Sequence, residues 1–216
     1  MKLVWSPETA SNAYIETVKS CKLFKQSSVA ELVSAMAAGW DAKLIVETWS
    51  RGGAISTSIG LSIARKHTKG RHVCIVPDED SKSEYVESMT RYGHSAEITV
   101  GEPEEAMEGL QGIDFLVVDS RVKEFARILR VAKLGHRGAV LICKNAGSRV
   151  ASDFMWRCML DRELRIVRSV FLPVGEGLDM AHVGARDGGG SARRYGESRW
   201  IKYFDRESGE EFVFRK

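Results

Sequence analysis

Four short apolar runs of the chain each end in acidic or polar residues, the side chains that could hold a small polar ligand. Glu47 is the next-to-last residue of "KLIVET", Asp78 and Glu79 follow "HVCIV", Gly101 and Glu102 follow "AEITV", and Asp119 ends "DFLVVD". Runs of this length rich in Val and Ile are typical of buried strands. Neighbouring parallel strands bring their carboxyl ends to one edge of a sheet, where α/β proteins bind ligands. The pattern therefore predicts a ligand cleft at that edge.

The segment after the first run, "WSRGGAISTS", is a Gly- and Ser-rich turn leading into a helix. Gly53 would allow backbone N–H groups at a helix N-terminus to approach a ligand, and Ser56 adds a hydroxyl. Glu47, just before the turn, suits a positively charged or amino group. A combination of this kind is typical of an S-adenosylmethionine site, but a plain tight turn is an equal interpretation. The G-x-G-x-x-G and G-x-x-x-x-G-K-[ST] patterns are absent, which disfavours NAD(P) and nucleoside triphosphates.

The acids after the second run have two interpretations of similar weight. Asp78 or Glu79 could accept hydrogen bonds from the ribose hydroxyls of a nucleoside. They could also cap the helix that follows, because acidic residues stabilise a helix N-terminus. Asp78 could serve both purposes.

Apolar runs alternate with helical patterns along most of the chain, which predicts an α/β fold with a parallel sheet and helices on both faces. We expect an N-terminal helical segment over residues 1–40, a Rossmann-like domain over 41–183, and a Gly/Arg-rich loop with a β-hairpin over 184–216. One late strand of the sheet is expected to be antiparallel. The segments "VKEFARILRVAKLG" and "ASDFMWRCMLDREL" are both predicted helices.

Composition sets broader limits on the kind of protein. The chain has 216 residues and a formal net charge of +3, which gives no sign of a general nucleic-acid surface. None of the four cysteines lies in a CxxC pair, so a zinc or disulfide framework is not expected. No apolar stretch approaches the ~20 residues that span a bilayer, and the N-terminus does not have the pattern of a secretory signal. These features predict an intracellular, cytoplasmic protein.

Residues 40 to 183 resemble the small S-adenosylmethionine-dependent O-methyltransferases that act on catechols and caffeoyl-CoA. The likeness lies in the order "ETWSRGGAIST", "CIVPDED", "IDFLVVDS", "GAVLICKNAG" and "VFLPVGEGLDMAHV", with "DFLVVD" and "FLPVGEGL" the most specific parts. The chain is also similar to a set of plant proteins of unknown function with a methyltransferase-like Rossmann fold. The resemblance implies Glu47 and Gly53 near the methionine part of the cofactor, Asp78 or Glu79 at the ribose, Gly101 and Glu102 near the adenine, and Asp119 near the transfer site.

Two departures from that family bear on activity. A large residue, Trp49, replaces the glycine two positions after the first acid, and could crowd the methionine part. In the metal-dependent members the fourth strand ends in Asp-x-Asp-Lys and the fifth in Asp-Asn, whereas the matching residues here are Asp119, Arg121, Lys144 and Asn145. A divalent cation prefers carboxylate ligands and is repelled by nearby cations. No metal site is therefore expected.

Together these features predict a protein that binds S-adenosylmethionine and transfers methyl groups to a small molecule without a metal, with Asp119 and Lys144 as candidate catalytic residues. The alternative is a non-catalytic relative acting as a binding or interaction module. In that case Arg121 and Lys144, or the Arg-rich tail, would contact an acidic partner.

Overall fold

The computed structural model describes residues 4–24, 27–119, 125–149, 156, 160, 164–185, 200–204 and 211–215. The chain forms two compact units, Met1–Arg186 and Asp187–Lys216. Six α-helices are described: α1 Pro7–Ser20, α2 Ser28–Gly39, α3 Ile55–Thr68, α4 Glu79–Arg91, α5 Pro103–Glu108 and α6 Phe125–Val131. A short 3-10 helix spans Ala146–Arg149. The strands of the described part are β1 Leu44–Thr48, β2 Arg71–Val76, β3 Glu97–Val100, β4 Gln111–Ile113, β5 Phe115–Asp119, β6 Lys133–Leu134, β7 Ala139–Lys144, β8 Ile166–Leu172, β9 Leu178–Val183, β10 Trp200–Phe204 and β11 Glu211–Arg215.

Seven strands form the central sheet, in the order β3-β2-β1-β5-β7-β9-β8. The neighbours from β3 to β7 pair in parallel, and β9 runs antiparallel to both β7 and β8. The sheet confirms the predicted fold class, a Rossmann-like parallel sheet with a late antiparallel strand. Strands β4 and β6 form a separate small parallel pair. In the second unit, β10 and β11 form an antiparallel pair.

Helices cover both faces of the sheet because its central strands are apolar on both sides. One face packs Ile45, Val117 and Ile142 against α1 to α4, and the other packs Val46, Leu116 and Leu141 against α5 and α6. Every residue of β1, β5 and β7 is buried. This burial explains why these strands appear in the sequence as continuous apolar runs rather than alternating ones.

Local signals in the sequence mark several element boundaries. The side chain of Ser6 accepts from the backbone N–H of Thr9 at the start of α1, as a capping serine does. Helix α3 ends at Lys69, which has a left-handed φ of 52°. Asp114 lies at the amino-terminal edge of the sheet, opposite the carboxyl ends of the parallel strands. Its buried carboxylate accepts from the backbone N–H of Lys43 at 2.8 Å and from Arg137 Nη2 at 2.8 Å.

One predicted helix is shorter than expected. The described part of "VKEFARILRVAKLG" is helical only over Phe125–Val131, and Lys133 and Leu134 then pair with Gln111 and Ile113. Backbone hydrogen bonding to β4 thus ends the helix before the glycine that the sequence suggested. Most of the predicted helix in "ASDFMWRCMLDREL" lies outside the described residues. Among the described helices, none has the length and apolar character needed to cross a membrane.

Candidate functional site

The carboxyl ends of β1, β5 and β7 bring three charged side chains to the same face of the sheet. Glu47 is in register with Val117, and Val117 is in register with Ile142. Asp119 and Lys144 lie two residues further along these strands and are in register with each other. Because side chains alternate along a strand, Glu47, Asp119 and Lys144 point to one face. Three predicted site residues are therefore brought together.

Glu47 is fully buried and held by two donors. Tyr85 on α4 donates its hydroxyl to Oε1 at 2.9 Å, and Nε2 of His72 lies 3.0 Å from the same oxygen. The other oxygen, Oε2, is buried without a hydrogen-bond partner. Ser58 on α3 lies close enough to this carboxylate to lower its pKa as a side-chain donor. Buried polar atoms are normally satisfied, so Oε2 is fitted to accept from a further molecule.

The surroundings of Glu47 keep it ionised. Burial alone would raise the pKa of this carboxyl, but the hydrogen bond and charge of His72 and the positive charge of Lys144 lower the pKa below its ordinary value. Burial raises the pKa of Tyr85 well above its ordinary range, so the phenol stays protonated and can donate. Burial likewise raises the pKa of the Cys74 thiol. The floor of the site is thus one carboxylate that accepts from Tyr85 and His72, with a lysine nearby.

Trp49 lies in the core rather than across an open cleft. Its side chain is 4% exposed, and its ring packs edge-on against the ring of Tyr85 at 5.3 Å between centroids. The indole Nε1, a hydrogen-bond donor only, is buried without a partner. A Cβ at Gly53 would lie 2.8 Å from this nitrogen, so only glycine fits above the indole. Trp49 and Gly53 are therefore packed against each other.

The residues expected at a nucleoside lie at the same edge but are exposed. Asp78 caps α4, accepting from the backbone N–H of Ser81 at 2.6 Å, and this bond lowers the pKa of its carboxyl. The capping interpretation of Asp78 is thus observed. Glu79 is exposed and pairs with Lys82 at 2.9 Å.

Gly101 and Glu102 lie at the end of β3, also near the surface. Gly101 has a φ of 141°, and a Cβ there would meet nothing within 4 Å. Glu102 is exposed and precedes α5. By contrast Ser56, in the first turn of α3, is buried. The predicted nucleoside half of the site is open, and the predicted methionine half is enclosed.

Asp119 and Lys144 are both nearly buried, at 7% and 4% exposed. Oδ2 of Asp119 accepts from the side-chain amide of Asn145 at 2.9 Å, and Asn145 has a left-handed φ of 61°. Lys144 makes no ion pair within the described part of the chain. Arg121 and Ser120 lie outside the described residues.

A divalent metal does not fit this group of residues. Among the described residues, Asp119 is the one carboxylate at the ends of β5 and β7. Its cross-strand neighbour is the cation Lys144, and Asn145 is already bonded to it. Hard cations bind several carboxylate or carbonyl oxygens, and an ammonium here opposes the charge of a second cation. In the described ranges no group of three or more His, Cys, Asp and Glu side chains is placed to hold a metal ion.

Sequence reasoning did not assign Tyr85, His72 or Arg51 to the site. Tyr85 lies one turn before Met89 on the apolar face of α4, and His72 begins the apolar run of β2. The signal that could have identified them is Glu47 itself, because a buried carboxylate requires donors from adjacent elements. Arg51 forms ion pairs with Asp80 at 3.3 Å and Glu84 at 3.4 Å, linking the turn after β1 to α4.

Comparison with solved structures places this fold among methyltransferases. A methyltransferase from Geobacter sulfurreducens superposes with a TM-score of 0.58 at 22% identity, covering 81% of this chain and 88% of that one. The O-methyltransferase TomG from Streptomyces achromogenes, solved in complex with SAM, gives 0.55 at 20% identity over 85% of this chain and 92% of that one. An O-methyltransferase from Bacillus cereus, solved in complex with SAH, gives 0.53 at 15% identity over 84% and 93%.

At these identities the likeness establishes the fold alone. It confirms the Rossmann-like fold of S-adenosylmethionine-dependent O-methyltransferases that the sequence resemblance implied. No curated protein matches the chain by sequence. A family model covers residues 1–216, and the chain belongs to that family, described as a protein of unknown function (DUF1442).

Proposed function

We propose that the protein binds S-adenosylmethionine or a related adenine nucleoside at the carboxyl edge of its sheet and transfers methyl groups to a small molecule without a metal ion. The observation that carries this proposal is the shared edge: Glu47, Asp119 and Lys144 meet at the ends of the central strands. Bound S-adenosylmethionine would supply an activated methyl group. The chain would supply position and charge, which accounts for much of the rate enhancement in reactions of this kind.

The nucleoside half of the ligand fits the exposed part of the edge. Glu79 is available to accept from ribose hydroxyls, with Asp78 beside it as a second carboxylate. The open space at Gly101 would allow a flat base to approach the backbone, with Glu102 next to it. The unpartnered Oε2 of Glu47 suits the amino group of the methionine half, because an ionised carboxylate oxygen accepts strongly from an ammonium.

Lys144 would provide the positive charge that a metal provides in other systems. Lys144 lies on the same face of the sheet as Glu47, and its charge lowers the pKa of that carboxyl. There it would stabilise negative charge on an acceptor oxygen, while Asp119, fixed by Asn145, would position the acceptor. Both residues would then be catalytic in the strict sense of contacting substrate.

A non-catalytic binding module is the second candidate, and the enclosure of Glu47, Trp49 and Ser56 favours it. In that case the chain would keep the fold and lose the chemistry. Lys144, at 4% exposed, is poorly placed to contact a macromolecule. An acidic partner would therefore depend on Arg121 or the Arg-rich tail, and the function of these basic residues remains a proposal.

Calorimetric titration with S-adenosylmethionine and S-adenosylhomocysteine, with and without magnesium, tests the leading proposal. We expect binding that is independent of magnesium. The Glu79→Gln variant should weaken it by roughly tenfold, the effect of one charged hydrogen bond. Lys82→Gln is the matched control, since it breaks the same ion pair and leaves the carboxylate in place. Equal weakening in both variants would contradict the ribose contact.

No binding by the wild-type protein at millimolar ligand would overturn the proposed function. The Trp49→Gly variant then separates the causes. Binding gained in this variant would show that the indole closes a retained site, whereas continued absence of binding would leave the non-catalytic module. An acceptor screen that follows S-adenosylhomocysteine release is justified once binding is observed.

A further inference from the structure

The turn between β1 and α3, residues 50–53, is held against α4 by contacts on its outer side. Gly53 N–H donates to the carbonyl of Ser50 at 2.8 Å and closes the turn. Arg51 pairs with Asp80 and Glu84, and Gly52 N–H donates to Oε1 of Glu84 at 3.2 Å. The charged side chains are exposed, at 63% for Arg51, 81% for Asp80 and 40% for Glu84. This outer layer consists of exposed ion pairs, which salt screens and each of which contributes little to stability.

A second layer lies directly beneath the first. Glu84 and Tyr85 are consecutive on α4, so the helix contributes one residue to each layer. The Tyr85 ring packs against Trp49, and the indole in turn lies under Gly53. The turn is thus joined to α4 by ionic contacts outside and by aromatic contacts inside.

Two buried polar atoms close to these layers are unsatisfied. Oε2 of Glu47 and Nε1 of Trp49 are both buried without hydrogen-bond partners. Each such group raises the free energy of the closed arrangement, because burial removes its hydrogen bonds to water without replacing them. The buried unsatisfied polar atoms therefore destabilise the closed turn, whereas the exposed ion pairs of Arg51 stabilise it. A balance of this kind lets small changes in the outer contacts decide whether the turn opens.

We infer that residues 50–53 form a salt-sensitive latch, held closed by the ion pairs of Arg51, that controls access to the buried polar side chains of Glu47, Trp49, Ser58 and Tyr85. Opening separates the turn from α4 and exposes Oε2 of Glu47 and the indole N–H. This inference rests on the proposed function in one respect: the ligand that enters would be the methionine half of S-adenosylmethionine. Its opening and closing do not depend on any ligand.

Hydrogen exchange measured by mass spectrometry on peptides covering residues 47–56 tests the latch without ligand. Arg51→Gln at low salt should increase exchange in this segment by roughly two- to fivefold, the range for one exposed ion pair. Wild-type protein at high salt should behave in the same way. The matched control is Arg91→Gln, which breaks an exposed ion pair with Glu87 of 2.9 Å at the other end of α4 and should leave the segment unchanged. Equal exchange in wild type and Arg51→Gln, or an equal increase in Arg91→Gln, would overturn the latch.

Titration of the same variants with S-adenosylmethionine separates this inference from the proposed function. Tighter binding by Arg51→Gln than by wild type or Arg91→Gln supports both. Binding that is equal in all three, with faster exchange only in Arg51→Gln, supports the opening of the turn and overturns its control of entry. If no form binds, the proposed function fails, and the exchange result still decides whether the turn is a latch.

Discussion

The hydroxyl of Tyr85 and the carboxylate of Glu47 form a buried hydrogen bond of 2.9 Å between α4 and the central strand β1. Both side chains are completely excluded from solvent. His72 contacts the same carboxylate oxygen from β2. One acidic residue thereby connects two strands and a helix beneath the candidate site. Tyr85 and His72 therefore influence both the ionisation of Glu47 and the orientation of its side chain.

Replacing Tyr85 by Phe should destabilise the fold by about 1–3 kcal/mol, because Glu47 keeps its charge and loses a donor. The ring and its packing against Trp49 remain, so a loss of stability of this size would be due to the missing hydroxyl. Urea denaturation gives the free energy of unfolding. Tyr14→Phe is the control, since Tyr14 is 45% exposed and should tolerate the change. Equal stability of Tyr85→Phe and wild type would contradict the structural importance of this bond.

Glu47 should also contribute to the pH dependence of stability. Its pKa in the folded protein lies below the ordinary value of 4.5, despite burial, chiefly because of His72. A carboxyl with a lowered folded pKa stabilises the protein above the unfolded pKa, and that contribution is lost as the pH falls through the folded pKa. The difference in unfolding free energy between wild type and Glu47→Gln should therefore be largest near neutral pH and shrink below about pH 4.5.

Denaturation curves at a series of pH values measure this difference. Glu97→Gln is a useful comparison, because the hydrogen bond from Arg71 also lowers the pKa of Glu97. That pair is exposed, so the same trend should appear with a much smaller amplitude. A wild-type to Glu47→Gln difference that grows as the pH falls would contradict the lowered pKa.

The sheet could be predicted from sequence because its strands are buried on both faces. Apolar runs such as Leu44–Thr48 and Phe115–Asp119 have one structural interpretation when helices alternate with them. The same reasoning placed Asp119 and Lys144 at one edge, and the structure adds that they are in register. The end of α6 was less predictable, because it depends on pairing between Lys133 and Gln111 across the chain.

The direction of the site side chains could not be predicted in the same way. The sequence places Glu47 at a strand end but does not say which elements lie over it. The donors come from residues 25 and 38 positions away along the chain. The sequence indicated only that Trp49 could crowd the methionine part of a cofactor, and the structure packs it against Tyr85. Contacts between distant segments decide these orientations, and no local pattern encodes them.

Replacing Lys144 by Asp should create a weak site for a divalent cation. The variant would place two carboxylates, at positions 119 and 144, in register beside the amide of Asn145. Oxygen ligands of this kind suit calcium or magnesium, and the opposing ammonium would be gone. The melting temperature of Lys144→Asp should rise with added calcium, whereas that of wild type should not change.

An exposed lysine provides the control for the lysine-to-aspartate change. Lys133→Asp adds the same charge at a surface position whose ammonium bonds the carbonyl of Glu108. This variant should show no calcium dependence. A clear rise in the wild-type melting temperature would contradict the view that Lys144 excludes a metal. A melting temperature of Lys144→Asp that does not respond to calcium would contradict the prediction that replacing this lysine creates a cation site.

Asp114 should be essential for stability and irrelevant to ligand binding, because it lies at the amino-terminal edge of the sheet, opposite the candidate site. Its buried carboxylate accepts from two backbone N–H groups, of Lys43 and Leu44, and from Arg137. Replacing it by Ala leaves these donors unpaired and should cost about 3–5 kcal/mol. Glu87→Ala, which removes an exposed partner of Arg91, should cost less than about 1 kcal/mol. Denaturation measures both, and a small effect of Asp114→Ala would mean that water or rearranged backbone replaces the carboxylate at this edge.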